Sequence, residues 1–157
     1  MSITTDDRDH ADVLPAGLID DDLFSTITDR IAREHNRPTE YAGRILEQAL
    51  LFLYACARNP GAGLTPSPEV DLGWHTLILD THAYEEFCQR VAGRFLHHRP
   101  EEPCGDQAAY VARLGDTMQA MRALGLPVDA ELWLTPADCS QCYQGCVDDP
   151  APIGGTS

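Results

Sequence analysis

The chain has 157 residues and a formal net charge of −14, a length suited to one domain with a real core and too short for two ordinary ones. Seven aspartates against the lone Arg8 in the first 22 residues supply much of that charge. A surface this acidic is repelled by phosphate backbones and anionic membranes, which argues against nucleic acid and lipid as partners and favours cationic metals or a basic protein or peptide.

The opening MSITTDDRDH has neither the basic start nor the apolar core of a secretory signal, and the longest apolar run, residues 49–57, is too short to span a bilayer. A soluble, cytoplasmic protein is expected. Its six cysteines then read first as thiols or metal ligands rather than disulfides.

Residues 1–16 are polar and acidic without apolar periodicity and read as a disordered arm. From Asp20, the spacing of Leu23, Ile27 and Ile31 predicts a helix that buries one face and stops before Pro38. The stretch 39–58 carries Tyr41, Ile45, Leu46, Ala49, Leu50, Phe52, Leu53 and Cys56, apolar nearly all round in its second half, and predicts the central core helix. Asn59, Pro60 and Gly61 end it. After the loop GAGLTPSP, Ser67 and Pro68 fit an N-cap and first-turn proline, with Glu69 and Asp71 near the positive end of the helix dipole. That helix breaks or bends around residues 79–81, where Asp80 or Thr81 caps a following helix that Gly93 ends. A further helix is expected from 106 to 124, with Tyr110, Leu114, Met118 and Met121 inside, and a short one from Thr135-Pro136. With no alternating strand pattern, the fold class is all-α: a compact bundle of about five helices over residues 17–149, with residues 150–157 as a flexible tail.

Chemistry concentrates in residues 69–100, EVDLGWHTLILDTHAYEEFCQRVAGRFLHHRP, which hold four of the six histidines. These residue types bind transition metals or move protons near neutral pH. At about 100° per residue, Asp71, His75, Ile78 and, on a straight helix, His82 and Glu86 fall in one stripe. Val70, Trp74, Leu77, Thr81 and Cys88 form the opposite, core-facing stripe. Asp71, four residues before His75, can accept the proton of one ring nitrogen and leave the other free for a metal or a proton. An exposed, helix-supporting Asp/His pair explains the same spacing. His97 and His98 read as the end of the following helix, where the dipole also favours histidine; at most one of two adjacent side chains reaches a site shared with His75. Cys88, on the core side, is a poor nucleophile candidate.

A second constellation is Cys139-Ser-Gln-Cys142-Tyr-Gln-Gly-Cys146, with Cys104 as an optional fourth thiolate. The CxxC spacing suits a tetrahedral zinc, and three or four thiolates suit an iron–sulfur cluster. Equally, the three could share one face of a helix begun at Thr135-Pro136 as small buried residues. Phosphate-cradling glycine loops, G-x-S-x-G elbows, HExxH zinc helices and dinucleotide fingerprints are missing.

The run Val70-Asp71-Leu72-Gly73-Trp74-His75-Thr76-Leu77-Ile78-Leu79-Asp80-Thr81, continuing through Tyr84 and Cys88 to Gly93, Phe95-Leu96-His97-His98 and Pro100, resembles the core motif of the glycine-rich domain-containing protein-like family. That motif reads VDxxWHxHILDTxxY, then a Cys, then GxFLHHxP. The resemblance covers residues 69–100 and implies a shared helical domain more than any activity. Where the family has a second histidine two residues after the first, this chain has Leu77, so a site using both would be altered here, with His82 as a substitute.

Three functions are compatible with these residues. The first is a metal-binding helical domain, zinc being the first choice of ion, that acts on a peptide or small molecule through His75, one of His97, His98 or His82, and Asp71. The second is a non-catalytic interaction domain for a basic partner in which the Trp/His motif is architectural. The third is a zinc or thiol module on Cys139, Cys142 and Cys146. Oligomeric state, substrate and whether there is catalysis at all are not written in the sequence.

Overall fold

The computed structural model of the protein describes residues 15–100, 106–134 and 146–149, the last as backbone. Local capping chemistry sets most helix limits. After a single turn, α1 (Pro15–Leu18), the Asp20 carboxylate accepts from the Leu23 amide at 2.8 Å and opens α2 (Asp21–Glu34). Helix α3 (Thr39–Arg58) begins after Pro38 and ends at Asn59. The Ser67 hydroxyl accepts from the Val70 amide at 3.2 Å to start α4 (Pro68–Leu79), with proline in the first turn. Asp80 accepts from the Ala83 amide to start α5 (Thr81–Ala92), which Gly93 closes at φ +67°, a left-handed conformation that costs glycine nothing. An extended stretch, β1 (His97–Pro100), precedes α6 (Gln107–Ala123), capped by Asp106; a last turn, α7 (Ala130–Trp133), and β2 (Cys146–Asp149) complete the described chain. The fold class is all-α, carried by five helices of 12 to 20 residues.

Helix α3 is the hub, packing against α1, α2, α4, α5 and α6. Ile45, Leu46, Ala49, Leu50, Phe52 and Leu53 are fully buried, each large one contributing roughly 1.5–3 kcal/mol. Phe52 lies between the two tryptophans, 5.4 Å from the Trp74 ring and 6.2 Å from Trp133. The buried Gln48 on the same helix anchors α7: its Oε1 accepts from Trp133 Nε1 at 2.7 Å and from the Asp129 amide, while its Nε2 donates to the Pro127 carbonyl. Arg44 adds paired bonds to Asp129 at 2.8 and 2.9 Å. No helix among the described residues is long and apolar enough to cross a membrane.

Three features depart from the sequence reading. First, β1 and β2 pair as a short antiparallel ribbon. Neither strand has the length for a visible alternation, and their partnership spans nearly fifty residues of sequence. Secondly, α1 starts at Pro15, inside the stretch read as an arm. Thirdly, α7 at Ala130–Trp133 has no counterpart in the expected elements. Residues 1–14, the Thr135-Pro136 start and the 150–157 tail lie outside the described residues.

Helix α4 approaches α3 most closely at Gly73, where a Cβ would stand 2.8 Å from Ala49 Cβ and 3.1 Å from the Ile45 carbonyl oxygen. Gly73→Ala therefore gains helix propensity of about 1 kcal/mol but must push two backbones apart. The overpacking wins: a net destabilisation of about 1–2 kcal/mol is expected, read as a lower urea midpoint with an unchanged m value.

Candidate metal centre

Asp71 sits in the first turn of α4, held there by its own amide, which donates to the Ser67 carbonyl at 2.8 Å. Its side chain is only 5% exposed. Burial of an ionised carboxylate demands partners, and two imidazoles supply them. His75, one turn later, places Nδ1 3.0 Å from Asp71 Oδ2 and 3.1 Å from the Asp71 carbonyl oxygen. His98, from β1, places Nε2 3.1 Å from Asp71 Oδ1. Each carboxylate oxygen thus has its own imidazole. A carboxylate only accepts, so the protons sit on His75 Nδ1 and His98 Nε2.

The extended backbone after Gly93 explains the choice between the adjacent histidines. Side chains alternate along a strand: Leu96 is buried, His97 exposed, His98 nearly buried at 11%, and Arg99 exposed. The expectation of a helix end at His97-His98 is corrected, because the helix has already stopped at Ala92. His98 rests against the Trp74 ring at 4.4 Å and the His75 ring at 4.0 Å, both edge-on. Trp74 is fixed in turn by its Nε1 donating to the Tyr84 hydroxyl at 3.0 Å, and that hydroxyl donates to the Leu96 carbonyl. One buried chain of hydrogen bonds therefore joins α4, α5 and the residue that leads into β1.

Donor atoms of Asp71, His75 and His98 lie within 4.8 Å of one another, making a candidate three-ligand metal cluster. An ion at about 2.0–2.1 Å from each donor would hold them about 3.3 Å apart. The two carboxylate–imidazole spacings, 3.0 Å to Oδ2 and 3.1 Å to Oδ1, are slightly shorter, and an ion there would take the place of the protons on His75 Nδ1 and His98 Nε2, each imidazole carrying its proton on the other ring nitrogen instead. His75 is 52% exposed on its side chain, so the cluster is open to solvent on that side.

The other candidates lie elsewhere. His82 is on α5, 85% exposed, 3.8 Å from Glu86; the break at Asp80 removes it from the stripe that a straight helix would make. His97 turns outward, its ring 4.9 Å from Phe95. Cys88 is buried, with Sγ receiving the Leu96 amide at 3.5 Å. Cys104, Cys139 and Cys142 lie outside the described residues. Cys146 is on β2, paired in register with Pro100, and so is not on a helical face. A cleft of about 280 Å³ lined by Ile19, Asp20, Leu23, Ala83, Phe87 and Arg90 shares no residue with the cluster.

The hydrogen bond to Asp71 holds the His75 imidazole above its usual range, against desolvation, which acts the other way. A raised histidine stabilises the fold fully below the unfolded value of about 6.5 and loses that stabilisation as pH rises through the folded value. Asp71→Asn should return the His75 midpoint towards 6.5, followed by ring-proton NMR; an unchanged midpoint would contradict the pairing. Tyr84→Phe strands the Trp74 Nε1 and the Leu96 carbonyl and should cost about 1–3 kcal/mol, measured by thermal melting.

Comparison with known proteins corrects the resemblance to the glycine-rich domain-containing protein-like family. A family model, UCP032817-like, matches residues 17–114. That span takes in α2 to α5, most of α6 and the whole cluster. At the position where the glycine-rich motif carries its second histidine, Leu77 is fully buried in the core, where a polar ligand would have no role. No curated protein and no solved structure matches the chain. With more than half of its length matched, the chain belongs to the UCP032817-like family.

Proposed function

We propose that the protein is a metal-binding helical domain whose Asp71, His75 and His98 hold one divalent transition metal, zinc being the best fit. The observation that carries this reading is a buried carboxylate with an imidazole nitrogen about 3 Å from each of its oxygens. Mixed imidazole and carboxylate ligands suit zinc, and three protein ligands leave a coordination position for solvent or a ligand. On the half-exposed side of His75, that position would accept a peptide or small molecule, and the ion would supply a bound water of lowered pKa.

A second reading has an observation of its own. The Trp74–Tyr84–Leu96 chain and the two imidazole–carboxylate bonds give the Trp74 indole, the Tyr84 hydroxyl, both Asp71 oxygens and one nitrogen of each imidazole a partner without an ion, as an architectural motif in an interaction domain would. In that case the acidic chain, at −14, binds a basic protein or peptide.

Elemental analysis of untagged protein separates the two. About one equivalent of metal is expected, lost in His75→Ala and His98→Ala with helical content retained, and kept in His82→Ala, His97→Ala and Cys142→Ser. Absence of metal after reconstitution under reducing conditions would favour the interaction domain. Loss in Cys142→Ser alone would favour a thiol module on the C-terminal cysteines.

A further inference from the structure

On α5, Ala83, Glu86, Phe87 and Arg90 follow the i, i+3, i+4, i+7 spacing that puts side chains on one helix face. That face looks across the cleft of about 280 Å³ at Ile19, Asp20 and Leu23, where the chain enters α2. Ile19 and Phe87, both almost wholly buried, belong to its apolar lining. Its charged lining is Asp20, Glu86 and Arg90. Glu86 and Arg90, one turn apart, are spaced for an ordinary helical ion pair, yet Arg90 donates instead to the Leu18 carbonyl on the far side of the cleft. Among the described residues no carboxylate stands within ion-pair distance of its guanidinium. Asp20 engages Oδ1 with the Leu23 amide as the cap of α2, and Glu86 reaches only to 3.8 Å from the exposed His82. Two carboxylates and a guanidinium therefore border one apolar cleft without neutralising one another.

We propose that this cleft binds a free amino acid with an apolar side chain, in its zwitterionic form. Arg90 takes the α-carboxylate: a guanidinium has five N–H donors, and after the bond to Leu18 enough remain for a bidentate pair. Asp20 and Glu86 take the α-ammonium, and the side chain lies on Ile19, Leu23, Ala83 and Phe87. Charge selects the zwitterion over simpler ligands. A plain carboxylate would be repelled by two acids, and a plain amine would face an unpaired guanidinium. Size agrees, since the cleft holds about nine waters' volume at ~30 Å³ each, below the range of drug-sized pockets. It shares no residue with Asp71, His75 and His98, so the inference goes beyond the metal reading and does not depend on it.

The test is calorimetric titration of the full chain with L-leucine, N-acetyl-leucine, leucinamide and glycine. Saturable one-to-one binding of leucine at millimolar concentration or below is expected. Masking either charge, in N-acetyl-leucine or leucinamide, should weaken binding about 10- to 100-fold, and glycine, which lacks the apolar side chain, should bind about 10-fold or more weakly. Glu86→Gln and Arg90→Gln should each weaken leucine binding about 10-fold or more. Glu85→Gln, exposed on α5 and not bordering the cleft, should leave it within about twofold. Circular dichroism checks that each variant keeps its helices, and Glu86→Gln, at an exposed position, decides the matter should Arg90→Gln not fold. No saturable binding of leucine, valine or phenylalanine by wild type would overturn the proposal. So would equal affinity for N-acetyl-leucine or leucinamide, or equal losses in Glu85→Gln and Glu86→Gln, which would mark a general charge effect. Zinc content measured on the same variants should not change, so failure of the metal centre and failure of the amino-acid site are read separately.

Discussion

A carboxylate taken out of water governs the arrangement around it. Asp71 is almost wholly buried at the start of α4, and an ionised group there is tolerated only when hydrogen-bonded on all sides. The helix dipole helps by presenting its positive end, but it cannot satisfy two oxygens. The two imidazoles do, one from the same helix and one from a strand that the chain reaches only after α5 has turned back. The position of β1 and the orientation of His98 thus follow from where Asp71 is buried.

Helix α4 itself is fixed by its close approach to α3. Gly73 lets the two backbones approach, and Trp74 fills the space beside it against Phe52. From Trp74 the Tyr84 hydroxyl carries the constraint to Leu96, two residues before His98. The stability of the domain lies in this apolar packing; the buried ionic cluster contributes little net stability, since desolvation offsets most of its attraction. What the cluster adds is a defined geometry at a point open to solvent.

Helix limits were legible because caps are local. Asp20, Ser67, Asp80, Gly93 and Asp106 each act within about a turn of themselves, and their chemistry can be read from a few residues. The pairing of Asp71 with His75 was legible for the same reason. The burial of Asp71 was not, since an acid in a first turn looks solvated until a residue distant in sequence, here His98 of β1, packs on it. Nor was the selection of His98 over His97, which depends on an extended backbone after Gly93 and a partner strand almost fifty residues away. His82 joined the site only on the assumption of a straight helix, and Asp80 breaks it. The glycine-rich resemblance rested on a run in which Val70, Trp74, Tyr84 and Leu96 are core residues, so it reported packing rather than membership of that family.

The Ser67 hydroxyl does two jobs at once. It accepts from the Val70 amide as a cap and donates to the Leu132 carbonyl at 2.7 Å, next to the buried Trp133. The first turn of α4 and the single turn α7 consequently share one buried hydroxyl, and local opening of either disturbs the other. Whatever loosens α7 removes the carbonyl that holds the Ser67 hydroxyl in place and so weakens the cap of the turn that carries Asp71. Events at the C-terminal end of the helical core, more than sixty residues from the carboxylate in sequence, are thereby coupled energetically to it.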